Sequence, residues 1–348
     1  MRVLTILPQD NLQTAGTRAA AIEKAGYDGL VTMENKHEPF LPLAVAATTT
    51  EKIELTTGIA IAFARSPMVV ACAAHDLQTG SNGRFVLGLG SQVKGHNERR
   101  FSVPWSPPVP RLREYVEGMR AIWRCWEKGE KLNYEGEHYR FTLMTPNFVP
   151  DPNGLPPVPV TIAAVGPAML RMAGRVCDGV RLHPFCTRRY LEEVVMARLE
   201  EGMAKSDARR ENFEITGGGY IVTGPDAETL DKLFEWVRYR VAFYGSTRSY
   251  FPVWEVHDQL DLGMKLHEMS KRGEWDKMAA EVPDDVVHLF AAVGKHDVIA
   301  REVETRFGGI SDTLNASMSS DVDPKLTPDL IQDIRRIPTR FEGYKTSW

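Results

Sequence analysis

The segment from Ile53 to Gln92 constrains the fold most. It reads IELTTGIAIAFARSP, then MVVACAAHDLQTGSN, then GRFVLGLGSQ. Two apolar runs, Ile53–Ala62 and Phe85–Leu89, flank a stretch of helix length. That pattern makes a βαβ unit, whose parallel strands are buried on both faces. In α/β folds the residues just past each strand face the ligand. The loops Gly58–Pro67 and Gly88–His96 are therefore the expected functional positions.

The alternation continues along the chain. Strands are expected at Val3–Leu7, Gly29–Thr32, Ile53–Ala60, Phe85–Gly90, Val160–Ala164, Gly179–His183, Ile215–Val222 and Thr313–Ala316. Helices are expected at Asn11–Ala25, Leu41–Thr49, Met68–Gln78, Arg111–Glu127, Ala168–Val176, Tyr190–Lys205, Ala227–Tyr239 and Asp297–Phe307. Gly26 supplies a helix stop and Pro42 a helix start. Tyr244–Val286 has no strand of its own and reads as a helical insertion between strands seven and eight. Eight βα units in 348 residues, with no linker to divide them, specify one (β/α)8 TIM barrel over residues 1–348.

Several function classes lack their motifs. Gly88-Leu89-Gly90-Ser91-Gln92-Val93 starts like a dinucleotide fingerprint, but Val93 takes the place of the third glycine. A net charge of −4 leaves no basic footprint for nucleic acid. The four cysteines, Cys72, Cys125, Cys177 and Cys186, form no CxxC, which points to reduced thiols and no zinc site. No apolar run nears the ~18 residues of a membrane span. A cytoplasmic location is expected.

Together, TGIAIAFARSP, GRFVLGLGSQVKGH and VTIAAVGPAMLRMAGRVCDGV resemble the luciferase-like monooxygenase superfamily. More narrowly they resemble its branch that uses the deazaflavin coenzyme F420. EMSKRGEWDKMAAEVPDD resembles the insertion of that branch. The resemblance implies a barrel with an open pocket at its C-terminal face, a non-covalent flavin or deazaflavin, and a homodimer. It also implies a cis peptide at Gly58–Ile59 behind the coenzyme ring, with Gly58, Ile59 and Ala60 as coenzyme-binding residues. Arg65 then either locks the loop through a carboxylate or meets a coenzyme phosphate.

The other site residues follow from the same loops. Gly90, Ser91, Gln92 and Val93 let backbone approach a planar ring and offer polar groups. Lys94, His96, Arg99 and Arg100 form a basic cluster suited to an anionic coenzyme, or simply a solvated helix start. Relatives often carry a glutamate just beyond this turn, where Gln92 and Val93 stand here. Ala164, Val165, Gly166 and Pro167 lead into a helix N-terminus without a capping side chain, a natural anion site. Glu34 matches the family's acid at the ring edge. Asn35 falls where the family's histidine would be, and His37 lies two residues on, either as a base or as a surface residue. His183 closes strand six, at the catalytic end of a barrel or as a core histidine. Tyr244, Ser246, Thr247 and Tyr250 are placed to line a substrate cavity, with Phe63, Trp105 and Phe185 as apolar walls. The expected activity is hydride transfer between F420 and a small hydrophobic organic substrate. The alternatives are an FMN-dependent monooxygenase on the same barrel and a non-catalytic flavin-binding protein.

Overall fold

The computed structural model describes residues 1–317 and 326–348. Eight parallel strands close on themselves: β1 (Arg2–Ile6), β2 (Gly29–Thr32), β3 (Glu54–Thr57, resumed at Ala60–Ile61), β4 (Phe85–Gly90), β5 (Val160–Ala164), β6 (Gly179–Leu182), β7 (Glu214–Gly217) and β8 (Thr313–Asn315). Each pairs with the next, and β8 returns to β1 through Arg2↔Thr313 and Val3↔Leu314. The fold is the TIM barrel expected from the alternation. Every residue of β2 and β4 is buried, as parallel strands covered by helices require.

Helix starts match their capping chemistry. Asn11 and Ser66 accept from the N–H two residues on, and Pro67 occupies the first turn of Pro67–Gly80. The long helix Pro108–Lys128 turns Leu112, Tyr115, Val116, Met119, Ile122 and Trp123 inward. Trp123 anchors it by donating to the Ala71 carbonyl at 3.1 Å.

The sequence reading of strand seven needs correction. Ile215–Val222 is two strands. Only Glu214–Gly217 belongs to the barrel, while Tyr220–Val222 leaves it and pairs in parallel with Ala291–Val293. The cause is the Gly217-Gly218-Gly219 run. Gly217 and Gly218 take φ of +83° and +104°, which side chains rarely adopt, and Gly219 lies against the Arg306 guanidinium. Helix Ala227–Gly245 packs on the helices of the excursion. The helix Lys94–Arg99, the strand Ala291–Val293 and the helix Pro328–Arg335 were not foreseen in the sequence.

The N-terminal end of the barrel is closed by charge. Arg2 bridges Glu54 (2.7 Å) and Glu214 (2.8 Å), Thr313 donates to Glu214 at 2.6 Å, and the Tyr344 hydroxyl donates to the same carboxylate. The open end is therefore the C-terminal one. Among the described residues, no helix is long and apolar enough to cross a membrane.

Glu23, Glu114 and Glu214 are held below the usual glutamate range. Burial opposes ionisation in each. Backbone N–H groups of residues 51–53 overcome it at Glu23, those of residues 137–139 at Glu114, and Arg2 with Arg181 at Glu214. A depressed folded value contributes stability above the unfolded value of about 4.3 and loses it as pH falls through the folded one. We expect Tm to fall steeply below about pH 4.5 and Glu114→Gln to flatten that slope. A Tm unchanged down to about pH 3 contradicts this.

Candidate active site

Between the two segments of β3 the Gly58–Ile59 peptide is cis, as the resemblance implied. The bulge is pinned from the loop after β2. The Glu34 N–H donates to the Ile59 carbonyl at 3.2 Å. The Glu34 carboxylate accepts from the Ile61 N–H at 2.6 Å and from Arg65 Nη1 at 2.7 and 2.9 Å. Arg65 Nη2 donates to Glu38 at 3.2 Å, and Glu38 in turn caps Phe40–Ala47 by accepting from the Phe40 and Leu41 N–H groups. Arg65 therefore takes the structural of its two readings. Glu34, with a side chain only 8% exposed, is engaged by both its oxygens.

The loop after β4 meets the bulge. A Cβ on Gly90 would stand 2.7 Å from the Ile59 side chain, so glycine there admits Ile59 onto the strand. Ala60 is fully buried in the sheet. Gln92 adopts φ +54° and accepts from the Val93 N–H with its own side chain. Asn97 holds the turn by donating to the Ser91 and Val93 carbonyls at 2.9 and 3.1 Å, while its Oδ1 is buried without a partner. Ser91 and Gln92 are half-buried and Val93 and His96 exposed. Arg100 reaches across to the Asn35 carbonyl, tying this loop to the one after β2.

At the end of β5, Gly166 precedes the helix Pro167–Val176 with no capping side chain and open space where a Cβ would stand. The Val165 carbonyl accepts from the Tyr190 hydroxyl at 2.9 Å, and Ala164 is buried. A groove of about 480 Å³ opens beside Pro167, with Arg171 and Arg198 in its wall.

The three acid–base candidates occupy separate environments. Asn35 and His37 are exposed in the loop after β2. Among the described residues, no hydrogen bond or ion pair joins Glu34, His37 and His183. His183 sits in an aromatic box, its ring 4.1 Å from that of Tyr244 and 4.9 Å from that of Tyr250. Its Nδ1 accepts from the Phe185 N–H at 2.9 Å, which assigns the proton of the neutral ring to Nε2. Burial, aided by the Arg240 charge, lowers its pKa to about 3. We expect the His183 ring resonances to stay in the neutral form from pH 8 to about 5 by NMR. A midpoint near the ordinary 6.5 contradicts this.

Phe63 and Phe185, expected as cavity walls, instead fill the core. Phe63 is 3% exposed beneath Arg111, and Phe185 is 1% exposed among Trp254, Phe290 and Tyr250. Trp105 remains half-exposed.

The sequence model of the family described as luciferase-like monooxygenase matches residues 2–312. The chain belongs to this family. An uncharacterized protein of Mycobacterium tuberculosis is 46% identical over 303 residues, which is 87% of this chain and 89% of that protein. The F420-dependent glucose-6-phosphate dehydrogenase of Beutenbergia cavernae is 31% identical over 226 residues, 62% of this chain and 66% of the relative. The coenzyme F420-dependent tetrahydromethanopterin reductase of Methanopyrus kandleri superposes with a TM-score of 0.76 over 97% of both chains at 20% identity. That last likeness speaks for the luciferase-like barrel alone.

Sequence reasoning missed four polar side chains: Asn97, Arg181, Tyr220 and Arg240. Arg181 lies inside the barrel, donating to Thr161 at 2.8 Å and Thr56 at 2.6 Å, with Nη1 buried and unpaired below Gly58. An arginine within the apolar run GVRLH was the available signal. Nothing in the sequence distinguished Asn97, Tyr220 or Arg240 from ordinary helix and strand residues. Among the described residues, no group of three metal-ligating side chains occurs.

Proposed function

We propose that the protein is an F420-dependent oxidoreductase acting on a small, largely apolar organic substrate. The observation that carries this reading is the Gly58–Ile59 bulge, clamped by Glu34 and Arg65 and facing the Gly90–Val93 turn. It is a pinned wall on the rim of the barrel, suited to one face of a planar ring. The residues present fit the coenzyme. The uncapped helix start at Gly166–Pro167 offers N–H groups and a positive dipole end to a phosphate. Arg171 and Arg198, both paired with Glu201, line the groove beside it. Asn97 Oδ1 offers a buried acceptor beside the ring-facing turn.

When bound, the deazaflavin supplies hydride exchange with the substrate, and little oxygen activation. The chain binds and orients it and closes the barrel beneath it through Arg181. His183, neutral with Nε2–H available, donates a hydrogen bond at the substrate side rather than acting as a cationic acid. His37 and Asn35 remain candidates at the rim, to be separated by His37→Ala, which lowers turnover if His37 moves a proton. The reading also carries a homodimer, checked by sedimentation.

The test is a panel of alcohols and ketones mixed anaerobically with the protein and F420, read by the visible absorbance of the coenzyme. Bleaching or recovery with at least one small apolar substrate is expected. Oxygen uptake with reduced FMN and no change in F420 favours the monooxygenase alternative.

A further inference from the structure

Arg240 has an unusual setting. It lies on helix Ala227–Gly245, one turn before Tyr244, and its guanidinium is stacked between the Trp236 ring (5.2 Å) and the Tyr244 ring (5.0 Å). Its Nη2 donates to the Tyr244 hydroxyl at 3.1 Å. Nε is buried and unpaired. Among the described residues no carboxylate lies within ion-pairing distance of it, although the chain pairs most of its other half-buried arginines, such as Arg2, Arg65, Arg120 and Arg210. A half-buried cation left without a counter-ion is costly unless a partner arrives from outside.

Tyr220 belongs to the same corner. Its side chain is 2% exposed and its hydroxyl faces the Arg240 guanidinium, without the geometry of a full hydrogen bond. The two groups share this corner with His183, whose ring abuts Tyr244 and whose Nε2–H is free to donate. The corner thus holds a planar fork of donors, a phenol and an imidazole donor, with aromatic walls from Tyr244 and Tyr250.

We propose that Arg240, with Tyr220, is the specificity site for a carboxylate carried by the substrate on an apolar, ring-sized body. A guanidinium fork matches a planar carboxylate in two parallel hydrogen bonds, and the stacked walls favour an apolar body over a strongly hydrated anion. That this carboxylate belongs to the substrate rests on the oxidoreductase reading above. The anion site itself does not, so the two can fail separately.

The experiment titrates the apo-protein, without coenzyme, with benzoate and with inorganic phosphate by calorimetry. Benzoate is expected to bind saturably and more tightly than phosphate. Arg240→Met is expected to weaken it at least tenfold and Tyr220→Phe severalfold. Arg240→Lys, which keeps charge but loses the fork, is expected to fall between. Circular dichroism and Tm confirm that each variant folds, and F420 affinity is expected to be unchanged in all three. No saturable benzoate binding, equal binding by wild type and Arg240→Met, or tighter binding of phosphate each overturns the proposal. Loss of F420 affinity in Arg240→Met reassigns the residue to the coenzyme and overturns it too.

Discussion

Gly88→Ala should leave little folded protein. A Cβ at this position would lie 1.9 Å from the Thr57 carbonyl oxygen and 2.7 Å from Arg181 Nε. The first obstacle is backbone of the neighbouring strand and cannot rotate away. Thr57 Oγ1 also accepts from the Gly88 N–H at 2.9 Å and donates to the Gly88 carbonyl at 2.7 Å, so parting the strands breaks both. Arg181 would lose its seat across the barrel as well. Overpacking of this severity, with broken buried hydrogen bonds, exceeds about 3 kcal/mol. Denaturant unfolding of any soluble fraction measures it. The control is Gly166→Ala, where nothing stands within 4 Å of the added carbon and φ is −79°. That change should cost under about 1 kcal/mol, as for other residues at a helix N-cap.

Glu34→Ala is the second large effect. It removes the acceptor of the Ile61 N–H and leaves Arg65, only 20% exposed, without its main counter-charge. Breaking a mostly buried pair by deleting one partner costs roughly 3 kcal/mol. Because Glu34 also fixes the segment after Gly58–Ile59, F420 affinity should fall at least tenfold along with stability. Glu34→Gln keeps an acceptor for Ile61 and should retain part of both. A proton-transfer role for Glu34 predicts the opposite separation: Glu34→Gln would keep stability and affinity while kcat collapses and its pH profile changes. The pair of variants therefore distinguishes positioning from catalysis.

The barrel was legible because burial imposes its own pattern. Phe85–Gly90 and Val160–Ala164 were read to the residue, since a strand covered on both faces must be apolar throughout. Strand seven was misread because Tyr220–Val222 is just as apolar as a barrel strand, and only the glycines before it signal the departure. Boundaries of helices such as Pro108–Lys128 extended past their apolar stripe, because proline at the start and Gly129 at φ +67° set the ends. The bulge at Gly58–Ile59 came from the resemblance and was invisible to periodicity.

The site was legible by position but not by partner. Glu34 and Arg65 were each flagged, yet their pairing joins loops 31 residues apart and leaves no local trace. The Phe63 and Phe185 walls failed for the converse reason. A large aromatic past a strand end reads alike whether it lines a cavity or is covered by the excursion, and here Trp254 and Phe290 cover Phe185. Arg240 escaped notice because its significance is the absence of a counter-ion, which only the fold reveals.

The central claim is that the open end of the barrel, with the Gly58–Ile59 bulge and the Gly90–Val93 turn on its rim, holds a deazaflavin. The most direct measurement is an equilibrium titration of the apo-protein with F420 and, separately, with FMN, followed by fluorescence. The account predicts saturable F420 binding, tighter than FMN by at least tenfold and weakened in Glu34→Ala. Tighter binding of FMN, or saturation by neither, contradicts it.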